Sequence, residues 1–524
     1  MPAPRPRTVA VSFALLAAAC LAAPAHAQLL RIGMAADVSS LDPHFVNIAP
    51  NNQVARHIFD TLVHIDADGR LIPGLAESWR AIDPVTWEFR LRKGVRFHNG
   101  DELSADDVVF SLRRPATIPK SPGPFTSVTR PIVGMEVVDP LTVRLRTAAP
   151  YGPLALDVSS IFIVSRRVAE GASTDDFNTG KAVIGTGPYR LVSFRRGESV
   201  ELARNDAWWG PKSPWERVTL RILTNDAARS ATLLAGEVDA IEAVPTADLA
   251  RVRAHPKFIV EQRPSWRTIF FHVDHFRERS PFVTDRAGKP LDRNPLRDAR
   301  VRQAISMAID RRALVERTME GLAIPAANLM APGILGHNDA ARPEPHDPAG
   351  ARRLLAEAGW PDGFGLTLHG PNDRYINDDQ VVQTVAQMLA KVGIVPRVET
   401  MPLAIYFARA RKHDFSFALL GWGSLAGDFA LRTLLGTVNP ETGWGAWNWG
   451  QYSNPKVDQA IAGALGTVDQ KKREALAREG VAEALRDHAL IPLHHQFATW
   501  AMRRGIRYTA RVDEFTYAHQ FRAE

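Results

Sequence analysis

The sequence predicts an α/β protein of more than one domain, and three observations carry that prediction. Its 524 residues exceed what a single hydrophobic core usually organises. Beyond residue 365, short apolar segments alternate with amphipathic segments of helical period, the order expected of sheets flanked by helices. Within that stretch Asp414-Phe415-Ser416-Phe417-Ala418-Leu419-Leu420 is apolar at nearly every position, as in a strand covered on both faces.

Taken in order, Met1 to Ala27 read as an export signal. Arg5 and Arg7 supply a positive start, Val9 to Ala23 is almost unbroken apolar, and Ala25-His26-Ala27 fits a small-x-small cleavage site. The run is too short and too rich in alanine for a membrane span. No twin-arginine pair is present, so the general secretory route and a periplasmic mature chain starting at Gln28 are expected. The only cysteine, Cys20, lies inside this leader. Leu16 to Cys20 loosely matches a lipidation site, with Ala17 where leucine is usual, so a lipoprotein is the alternative. Cleavage at Ala27 leaves no thiol, which excludes disulfides, thiolate metal sites and cysteine nucleophiles.

Leu30 to Met34 reads as a short strand, followed by the loop Asp37 to His44 and a helix from Asn52 to Leu62. Trp87, Phe89 and Leu91 alternate with charged residues, the pattern of a half-buried strand. Lys93-Gly94 interrupts it, Val95 and Phe97 resume it as a second strand, and Asn99-Gly100 turns the chain. Ser104 then caps a helix with Asp106 and Asp107 in its first turn and Val108, Val109 and Leu112 inward. Val143 to Arg146 is a further strand, and Gly185-Thr186-Gly187-Pro188-Tyr189 marks a tight directed turn. Thr268 to Val273 is a strand; Val301, Ala304, Ile305, Ala308 and Ile309 share one face of the helix that follows. Helices are expected at Pro348–Gly359, Asp379–Val392 and Leu403–Lys412, with strands at Gly365–Leu368 and Val395–Glu399 between them. Trp208-Trp209 is expected to serve the core.

Composition narrows function. Without Arg5 and Arg7 the balance is 62 basic against 57 acidic residues, a mild +5 with no basic run of the nucleic-acid type. The motifs Gly-x-Ser-x-Gly, His-Glu-x-x-His and Gly-x-x-x-x-Gly-Lys-Ser/Thr are all absent. Carboxylate-pair hydrolases carry no short signature, so an exported glycosidase stays as the enzyme alternative. His494-His495 is the one metal-like pair. Neighbours on a strand point to opposite faces, so one of them is expected to hydrogen-bond in a cleft and neither to hold an ion.

The stretch from Pro73-Gly74-Leu75-Ala76-Glu77-Ser78-Trp79 through Trp87 to Ser111 closely resembles the signature of the family 5 bacterial extracellular solute-binding proteins. Leu41-Asp42-Pro43-His44, Gly185-Thr186-Gly187-Pro188-Tyr189, Asn205 to Gly210, Gly236 to Ala240, Val301 to Arg311 and the Asn448, Tyr452, Asn454, Pro455 set resemble further blocks of that family. The resemblance implies a two-lobed periplasmic-binding-protein fold of type II with an extra subdomain inserted in the first lobe. It places lobe I at 28–57, 184–265 and 497–524, the insertion at 58–183 and lobe II at 266–496. It also implies a receptor with no cofactor and no catalysis, acting as a monomer that delivers short peptides to the permease and ATPase subunits of an ABC importer. A non-peptide solute such as an opine, glycoside or metal chelate is the alternative.

Gly421-Trp422-Gly423 follows directly on the buried strand, where ligands of open α/β sheets collect. A Trp between glycines offers an aromatic face beside bare backbone, so Gly421, Trp422 and Gly423 are expected ligand contacts, with Tyr452 beside them. The resemblance adds Ser40, from the loop that runs beside the family's ligand cleft. In its oligopeptide receptors a Trp-x-x-Asp arrangement supplies the carboxylate for a peptide's amine. Here Leu425 holds that place and Asp428 comes three residues later, a conditional amine anchor.

Overall fold

The computed structural model describes residues 28–524; the expected leader and Cys20 lie outside them. Two long antiparallel strands, Phe258–Val273 and Leu490–Arg503, form the spine of a 12-stranded sheet. On one side Leu490–Arg503 pairs through Trp500 to Met502 with Ala240–Glu242. The sheet continues outward through Leu29–Met34, Arg217–Ile222, Ser199–Arg204 and Tyr189–Arg195. On the other side Phe258–Val273 pairs through Arg267 to Val273 with Phe417–Gly423, and Gly365–Pro371 and Val395–Met401 lie beyond.

The spine is broken in register. Phe258 to Pro264 pairs with Phe497 to Arg503, and Thr268 to His272 pairs with Leu490 to His495, with an irregularity between Pro264 and Thr268. Proline cannot donate to the ladder, so a bulge is its natural place within a strand. The bulged residues turn to the C-terminal segment instead, where Trp266 N–H donates to Val512 O at 2.9 Å.

Alternation assigns side chains to separate cores. Ile269, Phe271 and Val273 join Ile305, Leu366, Leu419 and Ile491, with Phe271 stacked on Phe417 at 4.2 Å. Phe270 points the other way, into a core shared by residues 62–163 and 401–490. Leu30, Ile32 and Met34 pack with Tyr189, Leu220 and Trp500 under the first half of the sheet. Between them Arg31 turns outward and grips Asp239 with two bonds of 3.1 Å.

The inserted segment carries a four-stranded antiparallel sheet in the order Ala76–Asp83, Thr86–Leu91, Thr142–Thr147, Ile132–Asp139. Trp87, Phe89 and Leu91 are buried as expected. Val95 and Phe97 are buried too, yet they form no strand, only a bridge between Arg96 and Glu102. The positive φ of Gly94 (78°) turns the chain away from its neighbour before a ladder can form. Helix Ala105–Arg113 begins as expected, with Ser104 N and Oγ both donating to Asp107 Oδ2. Helix Ala299–Ala308 is capped by Asp298, which accepts from Arg300 N.

Gly185 and Gly187 press on the end of helix Ala49–Ile58. A Cβ at Gly185 would sit 2.0 Å from Ile58 O, and one at Gly187 2.7 Å from Ile58 C. Backbone cannot yield as a flexible side chain can. Gly185→Ala is therefore expected to cost about 3 kcal/mol and to lower the urea midpoint visibly; an unchanged midpoint would show that the turn has slack.

Candidate functional site

The broken register of the spine brings three segments together. The strand Phe417–Gly423 runs three residues past Leu420, so Trp422 lies on the strand and not in the loop after it. Trp422 sits opposite Thr268, and Gly423 opposite Arg267. Arg374 and Tyr375 arrive just beyond the carboxyl end of Gly365–Pro371, and Glu514 arrives from the C-terminal segment, held at φ 65°.

These residues form an aromatic floor with a cationic wall. Trp422 stacks on Phe429 at 6.1 Å and leans on Trp447 at 5.5 Å, while Trp266 meets the edge of Phe515 at 5.9 Å. The indole N–H groups of Trp266 and Trp422 are both buried without an acceptor. Arg267 is almost fully buried and binds Glu514 through Nε at 3.0 Å and Nη2 at 2.5 Å, while Ser265 Oγ donates to the same carboxylate at 2.8 Å. Burial opposes the Arg267 charge, but Glu514 outweighs it and raises the pKa above the ordinary value. Arg374 lies over the Tyr375 ring at 5.3 Å. Its guanidinium meets no acceptor among the described residues; burial, and then the charge of Arg267, hold its pKa below the ordinary value.

Gly421 and Gly423 serve this floor differently from the expectation. A Cβ at Gly421 would lie 2.6 Å from both Ile269 Cδ1 and Tyr375 Cε1, and one at Gly423 would lie 2.5 Å from Trp266 Nε1. The bare backbone therefore admits Tyr375 and Trp266, and Tyr375 OH donates to Gly421 O at 3.2 Å.

Tyr452 does not join Trp422. It packs against His275 at 5.1 Å, beyond the Val273 end of the strand, while Trp422 faces Thr268. The five residue steps from Thr268 to Val273 span about 17 Å. The local pattern around Tyr452 instead builds a closed loop, in which Asn448 Nδ2 donates to Tyr452 O at 2.8 Å and Asn454 Nδ2 to the phenol at 3.0 Å.

Ser40 is buried, and its Oγ donates to Asn178 Oδ1 at 2.9 Å and accepts from Asp42 N at 3.1 Å. Beside it Arg114 clasps Asp42 at 2.6 and 2.9 Å, so this loop is tied to the inserted segment. Asp428 is wholly buried in the first turn of helix Gly427–Leu434 and faces arginine: Arg473 Nε stands 3.7 Å away. It is no open anchor for an ammonium. The histidine pair divides as strand geometry requires, with His495 Nδ1 2.9 Å from Thr268 Oγ1 and His494 buried without a partner.

Sequence reading missed Trp266, Arg267, Arg374, Tyr375 and Glu514. Two signals were present: Pro264 breaks an otherwise continuous strand pattern, and Arg374-Tyr375 follows a strand end just as Trp422 was read to do.

Comparison with known proteins decides what kind of molecule carries this floor. The sequence model of the bacterial extracellular solute-binding proteins, family 5 (middle region), matches residues 70–439. The chain belongs to this family. The glutathione-binding protein GsiB of Salmonella paratyphi A is 29% identical over 474 residues, covering 88% of each chain. Heme-binding protein A of Haemophilus influenzae is 27% identical over 476 residues, covering 85% of this chain and 82% of that protein. The ABC transporter-associated periplasmic binding protein DppA of Helicobacter pylori, in complex with the peptide STSA, superposes with a TM-score of 0.80. That match covers 95% of this chain and 98% of DppA at 24% identity, a likeness of fold.

The family 5 chain thus has the two-lobed type II periplasmic-binding-protein fold, and its class of work is extracellular solute binding. Among the described residues no helix is long and apolar enough to cross a membrane.

Proposed function

We propose that this protein is a periplasmic receptor that captures short peptides between its lobes and hands them to the membrane permease of an ABC importer. Lobe I comprises 28–57, 184–265 and 497–524, with 58–183 inserted in it, and lobe II comprises 266–496. The observation that carries the ligand assignment is the floor of Trp422 and Trp266 beside the unpaired Arg374 guanidinium, gathered where the spine strands pass from one half of the sheet to the other. An extended peptide suits such a surface. Aromatic faces hold apolar side chains with little regard to identity, buried indole N–H groups take carbonyls, and a desolvated arginine takes a carboxylate. The peptide assigned to the Helicobacter pylori DppA complex and the glutathione of the GsiB name support this class of solute.

Mechanism follows from hinge closure. The two spine strands are the covalent links between the halves, and their register break at Pro264 to Thr268 is the place where rotation disturbs fewest ladder bonds. A solute that touches both halves stabilises the closed form; shifting a mostly open population decisively needs about 5 kcal/mol of preference. Ser40, Gly421 and Gly423 support the walls in this reading, and Trp422 is the contact.

Calorimetric titration of purified protein with di- to pentapeptides tests the assignment. Arg374→Gln is expected to weaken binding by about 2–3 kcal/mol, a 30- to 150-fold rise in Kd, while Tyr452→Phe leaves it unchanged. Peptides that bind Arg374→Gln and the unmodified protein equally would remove Arg374 from the site. A screen in which opines, glycosides or metal chelates bind and no peptide does would replace the solute and keep the receptor.

A further inference from the structure

We infer that the cleft recognises its solute through acceptors and negative charge alone and holds no seat for a ligand ammonium, so that its solutes are short peptide-like acids whose amino group is blocked or absent. The inference rests on the peptide-receptor reading and narrows it.

Among the described residues three carboxylates adjoin the floor; Glu514 and Asp378 are hydrogen-bonded, and Asp428 accepts no hydrogen bond but is enclosed among arginines. Glu514 accepts from Ser265 Oγ and from Arg267 at Nε and Nη2, and this fork binds both of its oxygens. Asp378 accepts from the backbone N–H groups of Arg374 and Tyr375 at 2.9 Å and of Asp379 at 3.0 Å, closing the first turn of its helix. Asp428 is sealed from solvent, with Arg473 3.7 Å away and Arg432 on the next turn of the same helix. Moving Glu514 or Asp378 onto an ammonium would strip a partner from the buried Arg267 or from backbone amides, which costs more than the new pair returns; Asp428 is closed to a ligand by its complete burial.

The unsatisfied groups of the floor have the opposite character. Trp266 Nε1 and Trp422 Nε1 are donors only, and Arg374 is a donor with full positive charge. Arg267 beside it is neutralised by Glu514, so the net charge of the wall is that of Arg374, which repels an ammonium. A carboxylate or a chain of carbonyls satisfies every one of these groups, and a protonated amine satisfies none. Capping the amine removes the desolvation cost of a charge that the cleft does not compensate.

A matched peptide series distinguishes the possibilities. One di- or tripeptide that binds is compared by calorimetry in four forms: free, N-acetylated, C-amidated, and both. N-acetylation is expected to leave Kd within threefold or to lower it, while C-amidation raises it at least 30-fold. The free-to-acetylated ratio is also expected to stay the same in Asp428→Asn and Glu514→Gln, whatever those variants do to overall affinity. A tenfold or greater loss on acetylation, or a ratio that shifts in either variant, overturns the inference and identifies the anchoring carboxylate while the receptor reading stands. Failure of every form to bind overturns the peptide reading itself and the inference with it.

Discussion

Acidification from pH 7 to pH 5 is expected to unfold the protein cooperatively. Seven histidines, His44, His57, His98, His272, His369, His494 and His495, are buried. Desolvation is the leading cause that holds their pKa values at about 3 to 4. In the unfolded chain each returns to about 6.5. A depressed folded pKa stabilises the native state fully above the unfolded value and loses that contribution as pH falls from 6.5 toward 4. Each histidine therefore forfeits stability as pH falls below 6.5, and the seven act in the same direction; Asp378, whose pKa burial raises to about 6, opposes them in part. Tryptophan fluorescence and far-ultraviolet circular dichroism, followed against pH, should show one transition with a midpoint near pH 5. Each buried histidine predicts one proton taken up on unfolding, so the pH dependence of the urea midpoint reports their number. A protein that stays folded to pH 4, or unfolds with uptake of one or two protons, would show that these rings are hydrated or already charged in the native state. His494 is the sharpest single case, because neither of its ring nitrogens meets a partner. His494→Phe is expected to move the midpoint to lower pH by removing one titrating group from a buried site.

Removing Arg432 is expected to be the most damaging single change among the described residues of the buried ionic network. Arg432 leaves helix Gly427–Leu434 and reaches into the inserted segment, where Nη2 binds Asp157 Oδ1 and Oδ2 at 3.0 and 3.1 Å and Nη1 donates to the Tyr151 phenol. Tyr151 OH in turn donates to Asp157 Oδ2 at 2.5 Å, and Arg473 Nη1 to Gly152 O at 2.8 Å. Burial opposes the Arg432 charge, yet Asp157, Tyr151 and then Asp428 hold it firmly protonated, with a pKa above the ordinary value. Arg432→Ala would leave the carboxylates of Asp157 and Asp428 in the interior, with Arg473 beside Asp428 alone. Breaking a buried pair from one side costs about 3–5 kcal/mol. The same contact ties the insertion to the second half of the molecule, so the insertion should detach first and proteolysis should cut it before the rest. Replacing the whole set, Arg432→Met with Asp157→Leu, is expected to recover most of the loss, because no lone charge then remains buried. A urea midpoint that falls by less than the equivalent of 1 kcal/mol in Arg432→Ala would mean that water reaches the network and screens it.

The sequence by itself determined the elements whose pattern is local. Strand Thr86–Leu91 follows from the alternation of Trp87, Phe89 and Leu91, and helix Ala105–Arg113 from Ser104 and the acids after it. The apolar stripe of Ala299–Ala308 and the glycine pair at Gly185 and Gly187 were equally legible, because one strand or helix imposes them on its own residues. The class of fold and the place of Trp422 near a strand end were readable on the same grounds. Tertiary structure alone decided which side chains meet. Trp266, Arg374, Trp422 and Glu514 come from four separate stretches, and they converge only because the spine strands lose register between Pro264 and Thr268. Periodicity reports that a face is buried and says nothing of what covers it. Gly421 and Gly423 could be read as making room, but that the room is taken by Tyr375 and Trp266 depends on residues far away in sequence. Asp428 and Tyr452 show the same limit. Both stand where a cleft residue would stand in the chain, yet one is folded against Arg473 and the other against His275 at the far end of the strand. A carboxylate or a phenol takes its role from the charges and rings that packing brings to it, and those contacts are non-local.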